Sequence, residues 1–543
     1  MKKNILVSVA WPYASGSRHL GHIGGAYLPA DIFARYHRAI GNAVLMVSGS
    51  DAHGTPITVR ADEEGVQPLE IVNKYHSEFL DYWDKLDISW DNYTTTMTDT
   101  HREVVHDIFL KLHEKGLIYK KTTKQAYDPK ENRFLPDRYV EGTCPKTECG
   151  AEGARGDQCD ICGSTLDPDE LINPVSKISG SPAEFRDTEH FFLKLSSLAE
   201  DLIPWLEAKN DWRPHVINWS KSFVTEGLID RAITRDLEWG IDIPLDDLGD
   251  GKKIYVWFEA VIGYLSASKE WAKNTGEPDS WKNWWENEDA ETHYFIGKDN
   301  IPFHAVIWPA MLSGYGDLNL PTNVPANQYI LIKGEKASAS KGVGKSLSEY
   351  LDEWNPDALR YCLASILPEH ADTEVSEEDL EKRNNEELVA TWGNLVNRVF
   401  SLVNSNFEDI PDIKSTIETD EKVLNSCSEI FAEVGSLIEK VELKNALQTS
   451  MRFVSGINVY LNENEPWKII DEDKERAGTI LSVALSAIRT SATVLMPFMP
   501  KTSNDVLKSI PAKTDNTWSY NEIATSQKLD KLEPLFKLSL IHI

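Results

Sequence analysis

The sequence has few cysteines and no apolar run that approaches the length of a membrane span. Its 6 cysteines in 543 residues are too few, and too clustered, for a disulfide framework, so we expect reduced thiols. The N-terminal residues Met1-Lys2-Lys3-Asn4 lead into a predicted strand rather than into a signal peptide. These observations predict a cytoplasmic protein that does not associate with membranes.

Basic residues are also scarce: 56 Lys and Arg stand against 86 Asp and Glu, a formal net charge of −30. By itself this balance argues against a nucleic-acid partner, because phosphate binding depends on Lys and Arg. Global charge does not determine local charge, however, and a basic strip can face RNA on an acidic protein. We therefore read the acidity only as information about solubility and salt tolerance.

The length predicts three or four domains of roughly 150 residues each, and no internal repeat or low-complexity tract stands out. Across residues 1–117, strand-like runs at 5–10 and 43–48 alternate with helical periodicity at 68–86 and 100–115. This alternation predicts the first half of a Rossmann-type, doubly wound parallel sheet.

The remaining chain divides by pattern into an insertion, a return to the sheet and a helical end. Residues 118–235 carry short strands, Gly-rich turns and the clustered cysteines, and apolar runs at 253–258, 293–296 and 328–332 are predicted to complete the sheet. From about residue 386 the periodicity is helical and predicts a bundle. The predicted units are 1–117 and 236–326 for the catalytic domain, 118–235 for the insertion, 327–387 for a connecting region and 388–543 for the bundle.

Four of the cysteines form two close pairs, Cys144 with Cys149 and Cys159 with Cys162, and each pair is followed by glycine. Two such knuckles bring four thiolates into a tetrahedron, the arrangement of structural zinc. Two disulfides, or a lapsed knuckle with buried thiols, are the alternatives. Four cysteine ligands leave no open position for water, so we expect one structural zinc per chain.

The tetrapeptide His19-Leu20-Gly21-His22 follows the first predicted strand directly and opens a predicted helix. The positive end of a helix favours an anion, and two imidazoles can add hydrogen bonds to phosphate oxygens. Gly21 leaves room for a base or ribose to approach the backbone. The pattern therefore predicts nucleotide binding, with a chance pair of surface histidines as the alternative.

Further polar motifs lie at residues 49–55, 255–260, 295–300 and 336–342. All but the last follow or end predicted strands, where open α/β sheets place their ligands. With the histidine pair and the zinc knuckles, this order resembles the methionyl-tRNA synthetases, class I enzymes with an H-I-G-H element and a K-M-S-K-S loop. The resemblance covers essentially the whole chain, and stretches such as 51–55, 127–129, 134–138 and 308–311 carry it.

The resemblance implies a two-step reaction in which methionine and ATP, carried with Mg²⁺, form methionyl-adenylate, which then acylates the terminal adenosine of tRNA(Met). It implies His19, His22 and Lys336 as catalytic residues, and Gly21 and Ser338 as further ATP contacts. It also implies a methionine pocket formed by Ala10, Trp11, Tyr13, Trp257, Val261, Tyr264, Asp299, Asn300 and His304. The alternative is that the aromatic side chains among them only pack in the core. Aromatic rings and a Tyr or His donor suit a polarizable thioether.

In the same family a tryptophan after proline stacks on the first anticodon base, and Pro466-Trp467 occupies the matching place. The alternative is a tryptophan that fills the bundle core. The resemblance also makes residues 327–387 the signature-loop and stem-contact region.

The chain departs from the family at three points. Ala339 replaces the second lysine of the signature loop, so its role should pass to Lys336, with Lys341 as a helper. Ser401 and Ser405 are predicted to stand where many relatives present Asn and Arg, one turn apart, to the anticodon. Because the chain stops soon after the bundle, we expect a monomer.

Two other functional classes share some of these sequence features. A non-catalytic tRNA-binding protein of the same fold is allowed by Ala339, but the retained histidines and Lys336 argue against it. A small-molecule nucleotidyltransferase would have no use for the bundle or the zinc insertion. The Leu, Ile and Val synthetases are excluded because residues 118–235 are too few for an editing domain.

Overall fold

The structure is a computed structural model that describes residues 2–156, 159, 161, 162, 166–249, 251–332, 334–336, 344–514 and 516–538. For Arg138, Asp247 and Lys336 it describes the backbone alone. Ser338, Ala339 and Lys341 lie outside the described residues.

A five-stranded sheet forms the centre of the catalytic region, and every neighbouring pair in it is parallel. Its strands, in spatial order, are Ala326–Asn327, Glu291–Gly297, Asn4–Val9, Ala43–Ser50 and Asn92–Thr95. The strand Asn4–Val9 is buried from Ile5 onward because helices cover both faces of the sheet. The order of the strands reverses beside it, so the ligand crevice of such a sheet lies at its carboxyl end. The predicted doubly wound fold is confirmed.

Two helices of this region follow the predicted periodicity closely. The predicted helices at 68–86 and 100–115 are observed as Pro68–Lys85, with proline in the first turn, and Asp99–Glu114, where the Thr98 side chain caps the backbone N–H of His101. The other helices of this region are Leu20–His22, Ile23–Tyr27, Leu28–Ala39, Thr55–Glu64, Val256–Asn274, Lys282–Trp285, Phe303–Ile307 and Trp308–Tyr315.

The insertion contains two small antiparallel sheets. One pairs Arg231–Ala232, Glu184–Leu193, Ile118–Asp128 and Arg133–Phe134, and the other pairs Ala154–Arg155, Val140–Thr143 and Ile172–Ser176. The second sheet lies with the cysteines over a small apolar cluster that includes Leu135, Val140 and Leu171. The insertion also holds two helices that the sequence pattern did not predict, Ala199–Glu207 and Pro214–Thr225.

Two predicted strands of the central sheet are wrong. In residues 253–258 only Lys252–Ile254 is a strand, it pairs with Thr234–Asp236 outside the sheet, and a helix begins at Val256. In residues 328–332 the strand Ile330–Ile332 belongs to a separate sheet, while Ala326–Asn327 forms the edge of the central one. A short apolar run has the same appearance in a buried strand and in the first turn of a buried helix, so periodicity alone cannot separate them.

The predicted C-terminal bundle is confirmed. Its helices, with those that lead into it, are Leu347–Glu353, Pro356–Ala364, Glu377–Lys382, Arg383–Gly393, Asn394–Asn406, Glu418–Glu439, Leu443–Asn464, Pro466–Ile469, Lys474–Leu495 and Pro500–Ser509. Contrary to the prediction of helix to the chain end, the described residues after Ser509 contain none. Pro511 and Pro534 there are poor helix formers.

Among the described residues one helix, Lys474–Leu495, is long and apolar enough to cross a membrane. The sequence pattern predicts helix here but no apolar run of this length. Its whole apolar stretch is buried among the other helices of the bundle, which is typical of a core helix.

A buried arginine joins the bundle to the catalytic domain. Arg360 is fully buried and donates to Asp31 at 2.6 Å and to the carbonyls of Leu86, Pro497 and Phe498. Burial opposes the charged form of Asp31, but the Arg360 and Arg35 charges outweigh it and lower the pKa of Asp31 to about 2. This pairing compensates the buried charges of Arg360 and Asp31 and ties the bundle to the helix Leu28–Ala39.

Candidate active site

A cavity of about 570 Å³ opens at the carboxyl ends of the strands Asn4–Val9 and Glu291–Gly297. Both predicted histidines, Gly21 and every predicted methionine-pocket residue line this one space: Ala10, Trp11, Tyr13, Trp257, Val261, Tyr264, Asp299, Asn300 and His304. The motifs that are far apart in sequence therefore meet at the point where the strand order reverses.

The two histidine rings lie against each other, tilted by 33°, at the entrance to the first helix. Their ring centroids are 3.7 Å apart, and the backbone N–H of His19 donates to Nδ1 of His22 at 3.3 Å. Because Nδ1 accepts, the proton of a neutral His22 lies on Nε2. The chain continues helically to Ala39, so this helix end and its N–H groups provide a site suited to an anion.

The opposite end of the cavity holds a tyrosine–histidine pair. Nδ1 of His304 lies 2.9 Å from the carbonyl oxygen of Asn300, which can only accept, so Nδ1 carries the proton. Nε2 then accepts from the Tyr264 hydroxyl at 2.7 Å. Burial lowers the pKa of His304 to about 4, which keeps the ring neutral. Trp308 lies behind this pair and donates to the hydroxyl of Tyr294 at 3.1 Å.

Aromatic rings form the wall between the two ends. Trp257 stacks on Phe303 with centroids 4.1 Å apart and meets Tyr13 edge-on at 6.1 Å. Glycine is required beside these rings, since a Cβ at Gly49 would overlap Trp11 and one at Gly54 would overlap Tyr13. The glycines of the stretch 49–55 therefore set how closely the loop approaches the cavity wall.

Asp51 lines the cavity but was given no role by the sequence analysis, although the motif containing it was singled out. It is 3% exposed, and the backbone N–H of His53 donates to its carboxylate at 3.2 Å. Burial, followed by the negative charge of Glu259, raises the pKa of Asp51 to about 8. A cationic ligand would reverse that shift, so the carboxylate is suited to bind an ammonium group.

Asp299 lies at the mouth of the cavity on the turn Lys298–Asn300 and is exposed. It accepts a hydrogen bond from the Tyr329 hydroxyl, while Lys298 pairs with Asp372 at 2.8 Å and covers the Tyr329 ring. This surface network lies between the central sheet and the strand Ile330–Ile332.

The predicted catalytic lysine is only partly located. The backbone of Glu335–Lys336 pairs with Ile330–Ile332, and Ile330 itself lines the cavity. The Lys336 side chain and Ser338 lie outside the described residues, so their contacts with ATP stay predictions.

The four cysteines of the insertion meet with their sulfur atoms within 4.8 Å of one another. Sγ of Cys144 is 3.9 Å from that of Cys162, and Sγ of Cys149 is 3.7 Å from that of Cys159. Zinc–sulfur bonds of about 2.3 Å would place tetrahedral sulfurs about 3.8 Å apart. The thiols are therefore too far apart for disulfides and are spaced to hold one metal ion.

In the bundle, Trp467 is partly buried on the short helix Pro466–Ile469. The guanidinium of Arg398 lies 5.1 Å from its ring centroid and donates to Asn462. Ser401 and Ser405 are exposed on the same helix as Arg398. The arginine beside Trp467 is therefore Arg398, not a residue at the positions of these serines, and the sequence prediction missed it.

The parallel sheet and the adjacent histidines at its first strand–helix junction are features of the class I aminoacyl-tRNA synthetases. The family model "tRNA synthetases class I (M)" matches residues 5–400, and the model "Anticodon binding domain of methionyl tRNA ligase" matches residues 410–537. The chain belongs to the methionyl-tRNA synthetase family, as its resemblance predicted.

Individual relatives agree with this assignment. The Methionine--tRNA ligase of Roseiflexus sp. (strain RS-1) is 50% identical over 93% of this chain and 86% of its own length. That of Dehalococcoides mccartyi (strain CBDB1) is 47% identical over 99% and 97%. The Mycobacterium tuberculosis methionyl-tRNA synthetase in complex with methionyl-adenylate superposes with a TM-score of 0.81 at 24% identity, covering 99% of this chain and 100% of that chain. This last likeness establishes the fold.

Proposed function

We propose that this chain activates methionine with ATP and transfers it to tRNA(Met), with both substrates of the first step bound in the 570 Å³ cavity. The observation that carries the proposal is the meeting of an anion site and an aromatic, thioether-compatible pocket in one space. His19 and His22 form the first, and Tyr264 and His304 the second. If ATP and methionine were bound in two separate pockets, a conformational change would be needed to bring them together. One cavity presents both reactants to each other directly.

At the anion end, His19, Gly21 and His22 receive ATP with its Mg²⁺. The N–H donors of the imidazoles and the helix end oppose charge on the phosphates, and Lys336 and Ser338 add contacts to the departing pyrophosphate. Lys336 adds a full positive charge to the hydrogen-bond donors of this end. Its expected contribution is therefore greatest in the transition state, where charge on the leaving group builds up.

At the other end, the Asp51 carboxylate accepts hydrogen bonds from the α-ammonium of methionine. The Tyr264–His304 pair meets the sulfur, with Trp11, Tyr13, Trp257, Val261 and Ala10 as the surrounding apolar wall. Asn300 fixes His304 through its carbonyl, and Asp299 lies toward the ribose at the mouth. Because His304 is neutral, this end binds a thioether without placing a charge beside it.

The chemistry requires no side-chain nucleophile. A carboxylate oxygen of methionine attacks the α-phosphorus of ATP, the bond to the β-phosphate oxygen breaks, and pyrophosphate leaves. A ribose hydroxyl of the terminal adenosine of tRNA then attacks the methionyl carbonyl, loses its proton and releases AMP. The protein contributes by aligning these groups and by opposing the developing charge.

The rest of the chain serves the tRNA. We assign zinc to Cys144, Cys149, Cys159 and Cys162, because four thiolates with this spacing suit its tetrahedral preference and leave no water position. Trp467 stacks on an anticodon base. The domains of the chain are divided after residues 117, 235, 326 and 387. The protein acts as a monomer in the cytoplasm.

The deciding experiment is ATP–pyrophosphate exchange measured with each of the twenty amino acids. Exchange at low substrate concentration should occur with methionine alone. Exchange driven best by leucine or valine would contradict the pocket assignment. No exchange with any amino acid, combined with retained tRNA binding, would instead indicate a non-catalytic tRNA-binding protein.

A further inference from the structure

A buried ion pair lies behind the aromatic wall of the cavity. Glu259 is fully buried, and its two carboxylate oxygens are 3.0 Å and 3.1 Å from Nδ1 of His53, itself 8% exposed. A buried carboxylate is costly unless a cation and hydrogen bonds compensate it. The chain therefore retains this pair against a substantial desolvation penalty, close to the proposed methionine site.

A second histidine, His101, faces the same carboxylate at a greater distance. The Ser266 hydroxyl donates its one proton to the carbonyl of Gly263 at 3.0 Å, so it can only accept from Nδ1 of His101 at 2.8 Å. Burial lowers the pKa of His101, and its Nε2 is 3.7 Å from the Glu259 carboxylate. Burial also opposes a charge on His53, but the charge and hydrogen bond of Glu259 raise its pKa. His53 is thus the closer partner of Glu259, and its pKa is the one that the pair raises.

The pair joins two elements that form opposite sides of the pocket. Glu259 is in the first turn of the helix Val256–Asn274, which also presents Trp257 and Tyr264 to the cavity. His53 is in the loop after the second strand, and its backbone N–H donates to Asp51. The Trp239 indole secures the same loop by donating to the carbonyl of Ala52 at 2.7 Å.

We propose that Glu259 is a positioning residue for methionine: through its ion pair with His53 it holds the helix Val256–Asn274 against the Asp51 loop and so sets the pocket geometry. This inference rests on the proposed function. The other titratable or charged groups that act on the pair are Asp51 from the same loop, His101 from the helix Asp99–Glu114, and Lys253 from the strand Lys252–Ile254. None of them contacts the carboxylate as closely as His53 does.

Three variants separate charge from shape. Glu259→Gln keeps the size of the side chain and removes its charge. His53→Asn keeps an N–H donor near the position of Nδ1 and removes the cation. The double variant removes both charges. Glu277→Gln is the matched control, since Glu277 is exposed just beyond the end of the same helix and outside this hydrogen-bonded set.

Methionine-dependent ATP–pyrophosphate exchange should show a rise of about tenfold in the KM for methionine in Glu259→Gln, with kcat and the KM for ATP nearly unchanged. His53→Asn should be worse, because it leaves Glu259 buried without a cation. Burial then raises the pKa of Glu259, so the side chain is an unpaired buried charge mainly at high pH. The rise in the KM for methionine relative to the unsubstituted chain should therefore be largest at about pH 8.5 and smaller at about pH 6. The double variant should resemble Glu259→Gln and lose that extra pH dependence.

The inference is overturned if the two single variants leave the KM for methionine unchanged while the unsubstituted chain exchanges normally. It is also overturned if the KM values for ATP and methionine rise together, which would indicate general disorder of the site. Should a single variant fold poorly by thermal unfolding, a double variant that folds but behaves like the unsubstituted chain would be equally decisive against it. Absence of methionine-dependent exchange in the unsubstituted chain would overturn the proposed function as well.

Discussion

The cavity and the helical bundle both contain tryptophans assigned to a ligand, but the two regions hold them differently. In the cavity, Trp11 fits against Gly49 and Gly263, and Trp257 stacks on Phe303. In the bundle, Trp467 is partly buried on a four-residue helix, with Arg398 over its ring. The cavity is therefore preorganised by packing, whereas the Trp467 ring keeps part of its surface free for another planar group.

This difference implies that the two regions can be damaged separately. Substitutions in the cavity should alter activation of the amino acid, and substitutions in the bundle should alter use of tRNA. The cysteine-bearing insertion is a third unit with its own small core. Substitutions in it should affect amino-acid activation and transfer to tRNA unequally.

The largest effect is expected from Cys162→Ser, which removes one of four metal ligands. The variant should lose its metal and destabilise residues 118–235, because binding energy of a structural zinc is folding energy. Elemental analysis should give about one zinc per unsubstituted chain and much less in the variant. Acylation should fall more than adenylate formation if the insertion helps to seat the acceptor end. A metal-free protein with unchanged melting would contradict the zinc assignment.

Lys336→Ala should lower the rate of methionine activation by about 10² with little change in the KM for methionine. A single cation near the departing pyrophosphate acts mainly in the transition state, so kcat should carry the loss. Measurement of exchange kinetics checks this, with Lys341→Ala as the matched control that should cost less. If Lys341→Ala is the more damaging of the two, the catalytic cation has been assigned to the wrong lysine. The KM for tRNA should be unaffected in either variant.

Trp467→Ala should produce the opposite pattern. Loss of one base stack costs about 1–3 kcal/mol, so the KM for tRNA should rise roughly tenfold while methionine activation is untouched. Aminoacylation kinetics set beside exchange kinetics test this separation. Equal damage to both reactions, together with a lower melting temperature, would show that Trp467 supports the bundle core instead.

The smallest effect is expected from Tyr264→Phe, which removes the hydroxyl that donates to His304. The KM for methionine should rise about fivefold, corresponding to one hydrogen bond of about 1 kcal/mol. Norleucine, which has a methylene in place of the sulfur, provides the control, because the Tyr264 proton is donated to His304 and the hydroxyl meets the polarizable sulfur only through van der Waals contact. An equal rise for both amino acids would mean that the hydroxyl fixes His304 and does not meet the sulfur.

Much of the fold follows from local pattern. The strands at 5–10 and 43–48, the helices at 68–86 and 100–115 and the bundle were predicted because their apolar spacing reflects burial on one or both faces. The strand Asn92–Thr95 was missed, since an edge strand of four polar and aromatic residues has no such pattern. The residues 253–258 were misread because Val256, Phe258 and Val261 are buried in a helix within the fold.

The sequence by itself determined the order of the motifs, the paired cysteine knuckles and the histidine pair at a strand–helix junction, because each depends on neighbours only a few residues apart. Tertiary structure decided the rest. It brought Glu259 to His53 across 206 residues, buried Asp51 beside that pair and so raised its pKa, and placed Arg398 rather than a serine against Trp467. Charge pairing and desolvation depend on which distant groups the folded chain brings within a few ångströms, and no local spacing encodes that choice.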